Sequence, residues 1–367
     1  MAVSVTLSER RRLELSWSEV TGAFGDSVTV LPIVVALALV TDVSLPHVLI
    51  AFGLFQVVWG VHYGLPLSVE PMKALAALAI AGALSYGELA LAGLLLGGVL
   101  LTLGSAGALA KIERWIGEPV IRGVQLAVAL LLLQTGFSLA LADLSLAGLG
   151  LLVALGVVAL GRYRASAIAV LAVGALIAVA SAGLPSPQAP GLPPLPPIGS
   201  HTLTVATADG FLAQFAMTIG NAALATSLLF ADRFDREVSP DRLSRSMGVT
   251  NLVSIPIGGI PMCHGCDGVA GKHAFGARTG GANLVVGIVY LALAFVASAA
   301  LLAAFPLAIL GVLLALVALS LGESVRHSSN LALTVGIALL ALVVNLAVAF
   351  SIGILVFLAL KRYRRGI

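Results

Sequence analysis

Long apolar runs, separated by short polar stretches, fill nearly the whole chain. A helix that spans a lipid bilayer needs roughly 20 apolar residues, and many of the runs approach that length. No run alternates polar and apolar residues with a period of two, and lipid leaves no backbone group unpaired, so the pattern predicts spanning helices. It predicts fourteen segments, at residues 17–41, 46–64, 66–85, 88–109, 119–141, 144–161, 166–184, 206–230, 246–260, 261–277, 282–303, 305–322, 329–346 and 348–361.

Two of these assignments depend on details of the pattern. The run from Asn330 to Leu360 is almost unbroken and too long for one span, so we interpret it as two short helices that meet near Phe350. The N-terminal residues lack the short apolar core and cleavage site of a signal peptide, so we expect the first segment to be retained. A Pro-rich polar stretch from Leu184 to Leu203 divides the chain.

The positive charges give the orientation. If the N-terminus is cytoplasmic and the chain changes sides after each segment, the outside loops contain no Lys or Arg. Cytoplasmic loops carry an excess of these residues, so both termini are predicted to be cytoplasmic. Lys73 lies where no loop is expected. The inside positions are Arg10, Arg11, Arg12, Lys111, Arg114, Arg162, Arg164, Arg233, Arg236, Arg242, Arg245, Arg326, Lys361, Arg362, Arg364 and Arg365.

Composition supports a membrane protein. Hydrophobic residues make up 59% of the 367 residues and charged residues 10%, and the mean hydropathy is +1.09. A soluble domain carries about 25% charged residues, so that class is excluded. The net charge of +3 is explained by the loop positions, and we predict no nucleic-acid partner. The lipid bilayer is the expected surrounding, in the plasma or inner membrane.

The two halves of the chain resemble each other at an offset of 195 residues. Each half holds seven predicted segments, an odd number, so the halves must cross the membrane in opposite senses. Secondary transporters often have such inverted repeats, with the binding site between them near the midplane. We therefore predict repeats at 1–184 and 206–367, joined by an extracytoplasmic linker at 185–205. The matching pairs are Gly25 and Gly220, Asp26 and Asn221, Gly53 and Gly248, Gln56 and Asn251, Gly64 and Gly259, and Pro66 and Pro261.

Each repeat contains a polar patch just after a Gly-x-Pro sequence. The patches begin segments 3 and 10, within Gly64 to Gly82 and Gly259 to Gly281. We predict short half-helices that begin inside the membrane, with Pro71 in the first turn of one of them. The free N–H groups and positive dipole ends of two such helices would form a site for an anion.

Four stretches resemble the molybdate transporter family, which is related to the sulfate permeases. GAFGDSVTVLP is similar to the family's first-helix motif, and LPLSVEPMKALAA to its Pro-Met-Lys motif. AQFAMTIGNA is similar to the motif of segment 8, and PMCHGCDGVAGKHAFGARTGG to the Cys-His-Gly and Phe-Gly-Ala-Arg elements. The chain departs from the family at Glu70, where an amide is expected, and at Cys266 and Asp267, where small residues are expected.

The resemblance implies a seven-plus-seven inverted repeat with a core of segments 1–4 and 8–11 and a gate of segments 5–7 and 12–14. It also implies transport of a small oxyanion. The candidate substrate-binding residues lie at the start of segment 1, on segment 2, and around the half-helices and segment 8. They are Gly25, Asp26, Ser27, Gln56, Ser68, Val69, Glu70, Lys73, Gln214, Thr218, Asn221, Cys263, His264, Gly265 and Cys266.

Three carboxylates are candidates for carrying a proton with the anion. Asp26 and Glu70 lie deep in apolar segments, where a charge costs at least ~2.5 kcal/mol, so a functional role is the default interpretation. The alternative for Glu70 is an ion pair with Lys73, three residues on. Glu19 is nearer the interface, where simple solvation is the alternative.

The sequence Cys263-His264-Gly265-Cys266 has three possible interpretations. Its donors could bind zinc, but adjacent ligands strain a tetrahedral site. A redox disulfide is the second reading, and a tight turn that brings substrate to backbone N–H groups is the third. We favour the turn, with His264 either a donor or a packing residue, and predict no metal and no cofactor. Lys272 and Arg278 are interpreted as structural residues near the cytoplasmic end of segment 10.

The leading hypothesis is a proton-coupled importer of a tetrahedral oxyanion: molybdate first, with sulfate or tungstate as alternatives. A similar permease for a nucleobase or an organic carboxylate is the second hypothesis, because Glu70 and Asp267 suit neutral substrates. An uncoupled anion channel is the third. No enzyme is predicted, since the sequence lacks a phosphate-binding loop, a His-Glu-x-x-His motif and a paired nucleophile and base. A homodimer is left open.

Overall fold

The computed structural model describes residues 13–365, so the predicted charges at Arg10, Arg11 and Arg12 lie outside it. Helices and two short strands make up the fold. The helices are α1 Trp17–Ala23, α2 Ser27–Val40, α3 Leu45–Tyr63, α4 Lys73–Ile80, α5 Tyr86–Ser105, α6 Leu109–Ile116, α7 Glu118–Ala140, α8 Leu144–Ala159, α9 Ser166–Ala182, α10 Val205–Met217, α11 Thr226–Phe234, α12 Pro240–Ser254, α13 Cys266–Ala274, α14 Gly281–Ala294, α15 Ala299–Ala303, α16 Leu307–Glu323, α17 Leu331–Val343 and α18 Leu346–Arg365; the strands are β1 Glu70–Pro71 and β2 Met262–Cys263.

Each predicted segment coincides with one or more of these elements. Within residues 13–365, eight helical stretches are long and apolar enough to span a membrane, and three shorter apolar helices accompany them. Segment 1 is broken into α1 and α2, and segment 9 begins at Pro240, earlier than predicted. The two C-terminal helices meet at Val344 and Asn345 rather than near Phe350. Helix α6 occupies what the sequence suggested was a loop.

The half-helices of segments 3 and 10 meet in the interior of the protein. Strand β1 pairs antiparallel with β2, with Glu70 opposite Cys263 and Pro71 opposite Met262. Helices α4 and α13 follow these strands directly. Pro71 therefore lies in the strand and not in the first turn of the helix, which corrects the prediction. Its missing N–H costs nothing in a two-residue strand at the end of a ladder.

The helix packing has the symmetry of the repeat. The most extensive contacts join α3 to α14, α5 to α12 and α7 to α16. In segment numbers these pairs are 2 with 11, 4 with 9, and 5 with 12. A shift by seven segments exchanges the first two pairs and returns the third to itself. The two halves are therefore related as an inverted repeat, as the sequence predicted.

Candidate functional site

A cavity of about 1250 Å³ penetrates between the helices. Its mouth is formed by loop residues that include Arg164 and Arg326, both assigned to the cytoplasmic face by the charge pattern. Its lining also includes Gly25, Asn221 and Asp267, which lie near the half-helices, and we call this part of the cavity its deep end. The cavity therefore leads from the predicted cytoplasmic side to the ends of the half-helices.

Glu70 and Lys73 form an ion pair beside this deep end. The Glu70 carboxylate is fully buried, and its Oε2 atom lies 2.9 Å from Lys73 Nζ. The Lys73 ammonium also lies 3.2 Å from Asp267 Oδ2, and the Asp267 side chain is 50% exposed to the cavity. The pairing that the sequence offered as the alternative reading of Glu70 is thus present. It also joins the two half-helices, because Lys73 begins α4 and Asp267 lies in the first turn of α13.

A second, much smaller cavity lies between the pair Glu70 and Lys73 and the residues that follow α10, Asn221 and Ala222. Its volume is about 10 Å³, and its lining includes Gly265, Cys263, Gln214 and Asn221. A space of this size holds about one water molecule. Asn221 also lines the large cavity, so this residue stands between the two.

Segment 8 presents Asn221 through a widened stretch of helix. Residues Thr218–Ala225 form π-helical turns between α10 and α11, a distortion that is frequent at functional sites. The Asn221 amide lies 3.5 Å from Asp267 Oδ2. Thr218 is fully buried and accepts a hydrogen bond from Gln214 Nε2 at 3.0 Å. Only Asn221 of these three faces the large cavity.

The two half-helices differ at their N-termini. Gln214 Oε1 accepts a hydrogen bond from the Ala74 N–H at 2.9 Å, which satisfies the first turn of α4. The N-cap residue of α13 is Gly265, which has no side chain and therefore makes no cap hydrogen bond. The first-turn N–H groups of α13 and its positive dipole end favour an anion, and the Glu70 carboxylate lies against them in this structure.

Asp26 belongs to a separate buried cluster. Its Oδ2 atom lies 2.9 Å from Lys272 Nζ and 2.8 Å from Gln56 Nε2. Lys272 is fully buried and also donates to Gln56 Oε1 at 2.9 Å. The Ser68 hydroxyl lies between the two carboxylates, 3.2 Å from Asp26 Oδ2 and 2.9 Å from Glu70 Oε1. One hydroxyl has one proton, so Ser68 can donate to only one of them at a time.

Glu19 is buried, and its carboxylate accepts hydrogen bonds from backbone N–H groups. Its Oε1 atom accepts hydrogen bonds from the N–H groups of Arg278 at 2.8 Å and Thr279 at 3.0 Å. Its Oε2 atom accepts from the Ala282 N–H at 3.1 Å, at the start of α14. Both carboxylate oxygens are thus bonded to the backbone, and these contacts favour a structural part for Glu19 over proton carriage. The alternative interpretation, a carboxylate solvated near the membrane interface, is wrong because the side chain is buried.

Several predicted site residues have side chains directed elsewhere. His264 Nδ1 lies 3.1 Å from the Ser68 carbonyl oxygen and Nε2 lies 2.7 Å from Ser246 Oγ. Since a carbonyl can only accept, Nδ1 carries a hydrogen, and the Ser246 hydroxyl can donate its one hydrogen either to Nε2 or to the Leu243 carbonyl oxygen at 2.9 Å. Ser27 Oγ lies 2.7 Å from Tyr290 Oη, and the Val69 carbonyl accepts from Gln56 at 3.3 Å. These three support the site's walls and do not line its cavities.

The glycines allow close approach at two places. A Cβ added at Gly25 would overlap the backbone of Gly271 and Lys272, so segment 1 and α13 cross in direct contact there. A Cβ added at Gly265 or Gly268 would overlap the Glu70 carboxylate. Cys263 is buried with its Sγ atom 3.9 Å from the Pro71 carbonyl oxygen, and Cys266 begins α13 beside the large cavity. Within residues 13–365, no group of three His, Cys, Asp or Glu side chains is arranged to hold a metal ion.

Sequence reasoning interpreted Lys272 as a structural residue near the cytoplasmic end of its segment and left Asp267 out of the candidate site. Lys272 does lie in the last turn of α13, but its ammonium pairs with Asp26 in the interior instead of complementing the helix C-terminus. A lysine inside a predicted segment was the available signal, because an intramembrane charge is functional or paired by default. Asn283 was also missed; its Nδ2 atom donates to Gln56 Oε1 at 2.7 Å, and nothing local in the sequence indicates that contact.

Comparison with known proteins gives a family match in both halves. The family model described as "Molybdate transporter of MFS superfamily" matches residues 18–132 and 206–321. Molybdate transporter 2 of Arabidopsis thaliana is 29% identical, over 96% of this chain and 89% of its own length. Molybdate transporter 1 of the same plant is 29% identical, over 85% of this chain and 80% of its own length.

Solved structures give the same fold at low identity. The transmembrane domain of the cyanobacterial bicarbonate transporter BicA superposes with a TM-score of 0.66 at 17% identity, covering 94% of this chain and 97% of that one. The murine anion transporter Slc26a9, solved in the inward-facing state, superposes with a TM-score of 0.68 at 14% identity, covering 98% of this chain and 70% of that one. The fold is therefore that of a multi-pass transporter with inverted repeats.

Proposed function

The chain belongs to the molybdate transporter family, and on that premise we propose that it is a secondary transporter that imports a small tetrahedral oxyanion together with protons. Molybdate is the favoured substrate, because the relatives that match over most of their length are named for it. Sulfate and tungstate share its charge and shape and are the alternatives. We place the protein in the plasma or inner membrane with both termini in the cytoplasm.

One observation carries the proposal. The N-terminus of α13, the Lys73 ammonium and the Asn221 amide surround the cavity of about 10 Å³, and Asn221 also lines the large cavity of about 1250 Å³, which we call the vestibule. A helix N-terminus with a nearby ammonium and amide donor is a general solution for binding an anion. From the predicted residues we therefore assign direct contact to Lys73, Asn221, Gly265 and Cys266. Gln56, Ser27, Val69, His264, Gln214 and Thr218 hold these groups in place.

Electrostatics supports proton coupling. The carboxylates Asp26, Glu70 and Asp267 outnumber the ammonium groups Lys73 and Lys272, so a dianion enters a region that already carries excess negative charge. Moving one charge across the membrane also costs about 2.3 kcal/mol per 100 mV, which opposes import of a dianion into a negative interior. Protons that travel with the anion reduce both costs. Glu70 is the first candidate to carry one, and Asp26 the second, because its Oδ1 atom has no donor among the described residues.

We further propose that transport moves the core, segments 1–4 and 8–11, against the gate, segments 5–7 and 12–14. The candidate site lies on core elements, while gate helices α7 and α16 contribute Arg122 and Ser320 to the opposite wall of the large cavity. A relative shift of these groups would close the cytoplasmic vestibule and open one on the other side. A homodimer is compatible with this scheme and is not required by it.

Uptake of radioactive molybdate into proteoliposomes tests the function. We expect saturable uptake that an inward proton gradient stimulates and that excess tungstate abolishes, because tungstate has nearly the same size and charge. Liposomes without protein and liposomes with the Lys73→Met variant are the controls. Uptake that does not saturate and ignores the proton gradient would instead identify an uncoupled channel.

The half-exposed carboxylate of Asp267 favours one further candidate. It faces the cavity and could accept hydrogen bonds from the N–H groups of a nucleobase. Uracil is therefore included as a competitor in the same uptake assay. If uracil competes and tungstate does not, the substrate is a nucleobase and the oxyanion assignment is wrong.

A further inference from the structure

The Glu70 carboxylate already has the surroundings of a bound anion. Its Oε2 atom pairs with Lys73 Nζ at 2.9 Å, and its Oε1 atom accepts from Ser68 Oγ at 2.9 Å. The side chain is fully buried, although one of its neighbours, Asp267, is open to the vestibule. A cation, a hydroxyl donor and burial are also what a bound oxyanion oxygen needs.

The same carboxylate is seated on the first turn of α13. A Cβ at Gly265 or at Gly268 would coincide with its oxygen atoms, so these two glycines leave the space that it fills. No cap side chain competes for this helix end in the described part of the chain. Glu70 thus lies against the positive end of the α13 dipole, where an anion is stabilised.

Little room remains for a substrate beside it. The cavity between Glu70, Lys73, Gly265 and Asn221 has a volume of about 10 Å³. That space suits about one water molecule, whereas a tetrahedral oxyanion has five heavy atoms. The small cavity therefore cannot hold an oxyanion beside Lys73 and Gly265 while the ionised Glu70 side chain occupies this place.

Building on the proposed function, we infer that Glu70 is a tethered competitor of the substrate. Its ionised carboxylate occupies the place of the substrate oxygens at Lys73 and the α13 N-terminus. A proton taken up on a Glu70 oxygen ends the ion pair, the side chain swings away, and the oxyanion takes over Lys73. The proton and the anion then enter together because each removes the obstacle to the other.

The charged groups around Glu70 set the balance between its two forms. Lys73 on α4 and the more distant Lys272 on α13 favour the ionised form. Asp267 on α13 and Asp26, reached through Ser68, favour the protonated form. The thiols of Cys263 on β2 and Cys266 on α13 and the imidazole of His264 are the other titratable groups nearby.

Molybdate binding measured against pH tests this inference. In the wild-type protein in detergent, the dissociation constant should fall by up to about tenfold for each pH unit between pH 8 and 6, because one proton is taken up per anion. In Glu70→Gln the carboxylate cannot ionise, so affinity should be nearly constant over this range and equal to that of the wild type at acid pH. Glu70→Ala removes the side chain and should behave in the same way, which guards against a fold defect in one variant.

Asp143→Asn is the matched control. Asp143 is an exposed carboxylate that caps α8, where Asn caps equally well, so this variant should keep the wild-type pH dependence. If Glu70→Gln and Glu70→Ala bind molybdate with the wild-type pH slope, Glu70 is not a competitor, although the proposed function stands. If folded wild-type protein binds no oxyanion at any pH, the proposed function itself fails and the competitor role fails with it.

Discussion

At the scale of single residues, the buried carboxylates have different surroundings. Glu19 accepts three backbone hydrogen bonds, while Glu70 faces a cavity and shares Lys73 with Asp267. Fixed backbone N–H donors hold both oxygens of the Glu19 carboxylate in place. One that shares a single ammonium with a second carboxylate can exchange partners. These contacts separate a structural role from a coupling role.

Glu19→Gln should destabilise the protein without changing its substrate. In the variant an NH2 group replaces one carboxylate oxygen, and it cannot accept a hydrogen bond from a backbone N–H group. The loss of a hydrogen bond to a charged group costs about 1.5–3 kcal/mol. We expect a lower midpoint of thermal unfolding in detergent, with the pH dependence of molybdate binding unchanged. A normal midpoint together with pH-independent binding would give Glu19 the coupling role that its contacts argue against.

The Asp26–Lys272 pair predicts a compensating double mutant. Lys272→Met leaves a buried carboxylate without its partner, which typically costs about 3–5 kcal/mol. Combining it with Asp26→Asn removes the unpaired charge and should restore most of the stability. The measurement is a double-mutant cycle of unfolding in detergent. Additive losses would mean that the two groups do not depend on each other.

At the scale of elements, the sequence predicted where the apolar segments lie but not how they are interrupted. Local hydropathy and the repeat located segments 3 and 10, because both signals are carried by neighbouring residues. The strand pairing of Glu70 with Cys263 joins residues from opposite halves of the chain, and so does the contact of Asp26 with Lys272. Such pairings depend on tertiary packing, which no local pattern reports. This is also why Pro71 was assigned to a helix.

Where segment 1 crosses α13, the structure predicts that position 25 tolerates no side chain larger than that of glycine. Gly25→Ala places a methyl group on the backbone of Gly271, so the half-helix must move away from Asp26. We expect loss of molybdate uptake, with reduced yield of folded protein. Gly98→Ala is the matched control, because an added Cβ there meets nothing within 4 Å. Normal uptake by Gly25→Ala would show that α13 can shift without affecting the site.

At the scale of the whole molecule, each half of the chain contributes one half-helix to the candidate site, α4 from the first half and α13 from the second. The paired strands β1 and β2 bring the N-termini of α4 and α13 together, and the large cavity extends from there to loop residues that include Arg164 and Arg326. The charge pattern of the loops assigns these residues to the cytoplasmic side. Under the orientation that we propose from these charges, the structure is open to the cytoplasm, and the chain's own cysteines can test this proposal.

Cys266 lines the vestibule, whereas Cys263 is buried. A membrane-impermeant thiol reagent should modify Cys266 when it is applied from the cytoplasmic face of oriented vesicles, and molybdate should slow the reaction. Cys266→Ser should abolish labelling and Cys263→Ser should leave it intact. Labelling only from the opposite face would reverse the orientation deduced from the loop charges.

The most direct test of the central claim is the position of a bound tungstate ion. Tungsten scatters strongly and anomalously, so a crystal of the protein grown with tungstate at acid pH locates the ion without ambiguity. We predict one peak between Lys73 Nζ and the first turn of α13, with the Glu70 side chain displaced from its present position. A peak among the vestibule residues Arg164 and Arg326, with Glu70 still paired to Lys73, would contradict the account.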